Sequence, residues 1–96
     1  MITIVAKSIV KKGKLEAFKK LTDEMIKESR KEKGCISYCL YQDITNDHIL
    51  TFIEEWEDME AIECHNASEH FKRIVPKMKE LREPSSEVTL YKKISS

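Results

Sequence analysis

The chain is predicted to adopt an α+β fold of β-α-β-β-α-β order. This is the ferredoxin-like arrangement, an antiparallel sheet with its helices on one face. Three observations predict it. Four short runs are rich in β-branched and aromatic residues, at 2–10, 35–44, 48–57 and 87–94. Two longer stretches between them carry apolar residues at helical spacing among charges. The first and third runs are apolar on both alternating faces, as expected where both sides of a sheet are covered.

Residues 2–10, ITIVAKSIV, open as a strand, and Gly13 punctuates the following turn. From Lys14 to Lys33, Leu15, Phe18, Leu21, Met25 and Ile26 mark one face of a helix of about five turns. Gly34 is expected to end it as a left-handed residue. Residues 35–44 and His48–Glu57 then form a hairpin across the turn Thr45-Asn46-Asp47. Asp58 is placed to cap a helix starting at Met59. The segment Asn66-Ala67-Ser68 breaks that helix, and Ser68 caps a second one through Leu81. Pro76 should kink the second segment, because it removes one backbone donor. Pro84 closes the helical region, and residues 87–94 form the last strand.

The 96 residues predict one domain, 1–96, and 41% hydrophobic content predicts a globular one. Seventeen basic side chains balance seventeen acidic ones, which argues against a nucleic-acid partner. Lys11, Lys12 and Lys14 read as a solvated turn. The apolar run Ile2–Ala6 is too short for a signal-peptide core or a membrane span. Cys35 and Cys39 on one strand lie ~13 Å apart, beyond the ~7 Å a disulfide tolerates. Three free thiols, with Cys64, predict a reducing, cytoplasmic setting.

On the third strand Leu50, Phe52 and Trp56 alternate with Ile49, Thr51 and Ile53. On the first, Ile2, Ile4 and Ala6 alternate with Val5 and Ile9. Helices cover one face only, so the other would leave several hundred Å² of apolar surface wet. The expectation is a homodimer in which two sheets stack and close a barrel-like body.

The segment Phe52–Phe71 carries the candidate chemistry. Glu54 and Trp56 share the pocket-facing side of the strand with Phe52, and His65 and His70 follow on the helical region. His65 suits a base, since an unperturbed imidazole is largely neutral at pH 7; the alternative is a structural or solvent-facing histidine. In an unbroken helix His70 would point about 140° away from His65. Both reach one pocket only if the break at Asn66–Ser68 redirects the chain. Trp56 is either an aromatic wall for a planar substrate or plain core. A carboxylate facing inward needs a partner; Glu54 could orient an imidazole, act as a base or pair with a basic side chain. Tyr38 and Tyr41 face opposite ways, so at most one reaches the pocket. Cys64, His65 and His70 lack zinc-site spacing, and two glycines make no phosphate loop, so neither metal nor nucleotide cofactor is expected.

The ordered set Ile2–Lys7, Gly13-Lys14, Gly34-Cys35, Glu54-x-Trp56, Ala61, His65 and Ser68-x-His70 resembles the antibiotic biosynthesis monooxygenase family, in particular its small quinol-monooxygenase-like members. The resemblance runs over nearly the whole chain. It implies a dimeric α+β barrel with a pocket between sheet and helices in each subunit. It also implies, for some members, cofactor-independent oxygenation of polycyclic phenols or quinols. Other members isomerise a small phosphorylated signal molecule or break down haem, so fold alone does not choose the reaction. Where haem-degrading relatives carry their Asn, Trp and ligating His, this chain has Ala6, His65 and Val75, which argues against haem. On the quinol reading His65 is the base, Glu54 the orienting carboxylate, and Trp56 and Phe52 the aromatic wall. Tyr38, His70 and Phe71 complete the candidate substrate-binding set. The isomerase reading needs a cationic grip on phosphate, from Arg73 or Arg82. A non-catalytic dimer binding a quinone or other hydrophobic ligand is the third reading.

Overall fold

A computed structural model describes residues 1–96. The elements are β1 (Ile2–Ile9), α1 (Leu15–Ser29), β2 (Cys35–Gln42), β3 (Ile49–Trp56), α2 (Met59–Asn66), α3 (Glu69–Leu81) and β4 (Glu87–Lys92). The strands form one antiparallel sheet in the order β2-β3-β1-β4. This is the expected α+β, ferredoxin-like arrangement.

Strand alternation sorts the sheet's two faces. Register pairs Tyr38 with Glu54, Glu54 with Ile4 and Ile4 with Leu90, and the neighbouring inner row runs Leu40–Phe52–Ala6–Val88. Those inner side chains meet α1 through Phe18, Thr22, Met25 and Ser29, spaced by four, three and four residues along one helical face. α3 adds Ile74 and Met78 to the same core. The helix layer stops short of β4, leaving Val88 and Leu90 exposed although they sit on the inner face. On the outer face Cys39, Ile53 and Val5 form one row, and Tyr41 and Tyr91 stand exposed beside it.

Helix boundaries correct two expectations. α1 ends at Ser29, four residues before Lys33. The following run Arg30-Lys31-Glu32-Lys33 offers no apolar side chain to the sheet, so nothing anchors another turn. Glu32 N–H instead donates to Ser29 C=O at 3.0 Å, tightening the exit. Nor is Gly34 left-handed; Gly13 alone has positive φ, at 79°. Gly34 is required for space, because a Cβ there would lie 2.3 Å from Ala61 Cβ. Its absence lets α2 close onto the start of β2.

Both caps form as expected. Asp58 accepts from Ala61 N–H, and Ser68 from Phe71 N–H. α3 runs as one element through Pro76 rather than dividing there; the buried Ile74 and Met78 hold it to the core on either side. No helix is long and apolar enough to cross a membrane. The three cysteines are free.

Candidate functional site

Between sheet and helices lies a cavity of about 320 Å³. β1 and β3 supply its floor with Ile4, Ala6, Phe52 and Glu54, and Tyr38 adds to it from β2. Helical residues Met25, His65, Phe71, Val75 and Met78 close it from above. Asn66, Lys79, Arg82 and Val88 complete the lining. A volume of this size suits one small organic guest.

Of the expected site residues, Glu54, His65, Phe52, Phe71 and Tyr38 line the cavity. Trp56 does not. It is fully buried behind the wall, with its ring centroid 4.5 Å from that of His65. Its place as an aromatic wall is therefore taken by Phe52, Tyr38 and Phe71, whose rings lie 5.0 to 5.7 Å from one another or from His65. His70 does not line the cavity either, although the break between α2 and α3 does bring the two imidazoles within 6.0 Å.

The carboxylate that joins those imidazoles is Glu32, not Glu54. His65 Nδ1 lies 2.6 Å from Glu32 Oε2, and His70 Nε2 lies 2.9 Å from the same oxygen. An acceptor of this kind assigns the proton of His65 to Nδ1 and leaves Nε2 with the free lone pair. Ser68 fixes the corner by donating from its hydroxyl to His65 C=O at 2.6 Å, while its Oγ sits 3.2 Å from His70 Nε2. His65 is 2% exposed, and burial holds its pKa below the ordinary imidazole value despite the opposing pull of Glu32. Burial thus favours its neutral form.

Glu54 has a different partner. Its Oε1 accepts from Trp56 Nε1–H at 2.9 Å, an indole–carboxylate bond made within one strand face. Burial pushes its pKa up to about 7, against the lowering effect of that hydrogen bond. Burial also raises the Tyr38 hydroxyl, reinforced by the charge of Glu54. The cavity thus holds an imidazole biased toward its neutral form and a carboxyl group poised near neutrality.

Glu32, His65 and His70 offer three ligand atoms within 4.8 Å of one another, the one mixed cluster able to hold a metal ion. A tetrahedral ion with bonds near 2.05 Å would spread its ligands to roughly 3.3 Å. The present spacings of 2.6 and 2.9 Å are those of hydrogen bonds. In this structure one carboxylate oxygen bridges the two imidazoles.

Glu32 falls within the helix that the spacing predicts over Lys14–Lys33, so no pattern marks it as a site residue. Its only signal was its place two residues before Gly34, where a helix of purely charged residues could not stay anchored. Arg73, one candidate for a phosphate grip, is taken by Glu24 at 2.6 Å and Glu69 at 2.8 Å. Arg82, the other, lines the cavity.

Comparison with known proteins agrees with this architecture. The family profile described as antibiotic biosynthesis monooxygenase matches residues 1–77. A conserved protein from Methanosarcina mazei is 41% identical, superposes with a TM-score of 0.93, and is matched over 96% of this chain and 91% of that one. The crystal structure of an antibiotic biosynthesis monooxygenase superposes with a TM-score of 0.94 at 29% identity, over 99% of this chain and all of the other. The uncharacterised Synechocystis protein sll1783 is 38% identical over 90 residues. That alignment takes in 93% of this chain but only 61% of the cyanobacterial protein, so the chain spans less than two thirds of that relative's length. The Bacillus subtilis protein YcnE is 33% identical over 81 residues, 84% of this chain and 85% of its own.

Proposed function

Given that the chain belongs to the antibiotic biosynthesis monooxygenase family, we propose that it oxidises a phenolic or quinol-type aromatic with dioxygen, using no prosthetic group. The observation that carries this reading is His65, a buried imidazole biased toward its neutral form and held by Glu32 on the wall of a largely apolar cavity. His65 Nε2 takes the phenolic proton, and the resulting anion is electron-rich enough to reduce oxygen in a water-poor site.

One electron passes from the ring to dioxygen, and the radical pair combines to form a carbon–oxygen bond. The peroxide is protonated, with Glu54 suited to donate because its pKa lies near 7. The ring carbon then loses its hydrogen as a proton, the O–O bond breaks, one oxygen remains as a carbonyl and the other leaves as water. The substrate loses four electrons and dioxygen gains four, so no external reductant is required. Phe52, Tyr38 and Phe71 supply the ring-stacking surface. Trp56 acts through others, setting Glu54 by its N–H and backing His65.

The bare outer face of the sheet supports a homodimer built by stacking two sheets, since Ile53, Tyr41 and Tyr91 are exposed beside Val5 and Cys39. Light scattering at micromolar concentration should give twice the chain mass of 11.3 kDa; a monomer would refute the assembly. Oxygen-electrode measurements with menadiol-like quinols test the activity. Uptake above the autoxidation blank is expected. Saturable binding of the quinol without uptake would instead favour a non-catalytic ligand-binding dimer.

A further inference from the structure

The two ends of the cavity differ in charge, and the difference bears on what enters it. Glu54 and Tyr38 pair across the sheet at the level of Ile4, and the His65 ring lies 5.7 Å from that of Tyr38. Arg82 stands at the level of Ser8, four residues further along β1, and Lys79 adds a second cation to the lining. Neither cation enters any ion pair of the chain. The Arg82 guanidinium is half-buried, and its one side-chain hydrogen bond goes to a neutral group, Ser8 Oγ, at 3.3 Å from Nη1. Burial alone depresses its pKa, with no acidic neighbour acting on it. A partly desolvated guanidinium without an anion is an unfavourable arrangement unless something else supplies the charge. Its planar fork matches a carboxylate or phosphate geometrically.

Resting on the oxygenase reading of the same cavity, we infer that the natural substrate is a hydroxylated aromatic acid, its hydroxyl at His65 and its anionic group at Arg82. The register sets the molecule's length. Glu54 pairs across the sheet with Ile4, while Arg82 bonds to Ser8 on that same strand. Four residues of strand separate the two levels by ~13 Å at about 3.3 Å per residue. A single benzene ring is shorter than that separation of levels, and a fused bicyclic or tricyclic skeleton comes closer to it. The apolar lining between the ends, Ile4, Ala6, Phe52, Val75 and Met78, suits such a skeleton. Carboxylate and phosphate ester share this recognition chemistry.

Anaerobic calorimetric titration separates this inference from the oxygenase reading, because it needs no turnover. The probes are 6-hydroxy-2-naphthoate, its neutral amide 6-hydroxy-2-naphthamide and 6-hydroxy-2-naphthyl phosphate. The wild-type chain should bind one or both anions at least tenfold more tightly than the amide, in line with a charge-assisted contact. The better anion identifies the group. Arg82→Gln should abolish the preference, and Arg82→Lys should keep a reduced one. Equal affinity for acid and amide, no detectable binding of any probe, or a preference that survives Arg82→Gln would overturn the inference. The wild-type comparison decides it even if Arg82→Gln fails to fold. An anion preference without oxygen uptake by any quinol would uphold the subsite and sink the oxygenase; uptake with neutral quinols and no preference would do the reverse.

Discussion

The cavity's floor and the corner that holds its imidazole are built on different principles. The floor is strand: Phe52, Glu54 and Trp56 share one side of β3 because alternate residues must, and the ladder to β1 and β2 fixes their height. The corner is a meeting of three chain segments. The exit of α1 brings Glu32, the last turn of α2 brings His65, and the first turn of α3 brings His70. The floor is rigid by local pairing and its chemistry is set by dryness. The corner is rigid only through contacts between segments distant in sequence, and its chemistry is set by one shared oxygen.

The sharpest way to separate the two is to remove the imidazole. His65→Gln should lower kcat/KM by roughly 10²–10⁴-fold if the base is there, while circular dichroism remains that of the wild type. An unchanged rate would take the corner out of the mechanism.

The floor is tested through stability rather than rate. Folding raises the Glu54 pKa from an ordinary carboxylate value to about 7, so the folded state holds more protons than the unfolded one between about 4.5 and 7. The group therefore disfavours folding as pH climbs through that window. Glu54→Gln keeps an acceptor for the Trp56 N–H and removes the ionisation. Urea unfolding should show the variant gaining up to about 3 kcal/mol on wild type between pH 5 and pH 8.5. Parallel stability curves for the two proteins would deny that the floor is dry.

Between floor and corner, Gly34 seats α2 against β2. Gly34→Ala forces a methyl to 2.3 Å from Ala61 Cβ, and should destabilise by about 1–3 kcal/mol, as overpacking does. Pairing it with Ala61→Gly should recover most of the loss; failure to recover would show that the turn, not the contact, was damaged.

Glu32→Gln has the smallest expected effect, a fall of about tenfold in kcat/KM, since Gln still offers one acceptor oxygen. Its diagnostic is the pH profile. Glu32 opposes the lowering of the His65 pKa by burial, so its removal should move the acid limb to lower pH. A fall in rate with an unmoved limb would mark Glu32 as merely structural.

How legible each region was follows from how it is made. Period-two alternation placed Phe52 and Glu54 on one side and set Tyr38 opposite Tyr41, because a strand permits no other sorting; the structure makes Tyr38 the inner of the two. Asp58 and Ser68 announced their helices because a cap is a local bond. Trp56 was legible as inward-facing but not as hidden, since a strand pattern says nothing about depth. Glu32 was illegible for a stronger reason. A run of four charged residues leaves the helix unanchored, but nothing local says which of them then meets the imidazoles of α2 and α3. Arg82 could be named as a cation but not seated, because its position depends on where α3 ends relative to Ser8.

Glu32 also borders a second hollow, a polar one of about 420 Å³ edged by Glu57, Asp58 and Glu60. One side chain thus holds the cavity's imidazole on one side and borders this acidic hollow on the other. On the proposed mechanism, the contact between His65 Nδ1 and Glu32 would carry the proton taken from the guest toward that outer hollow, so the imidazole could be reset with the guest still in place.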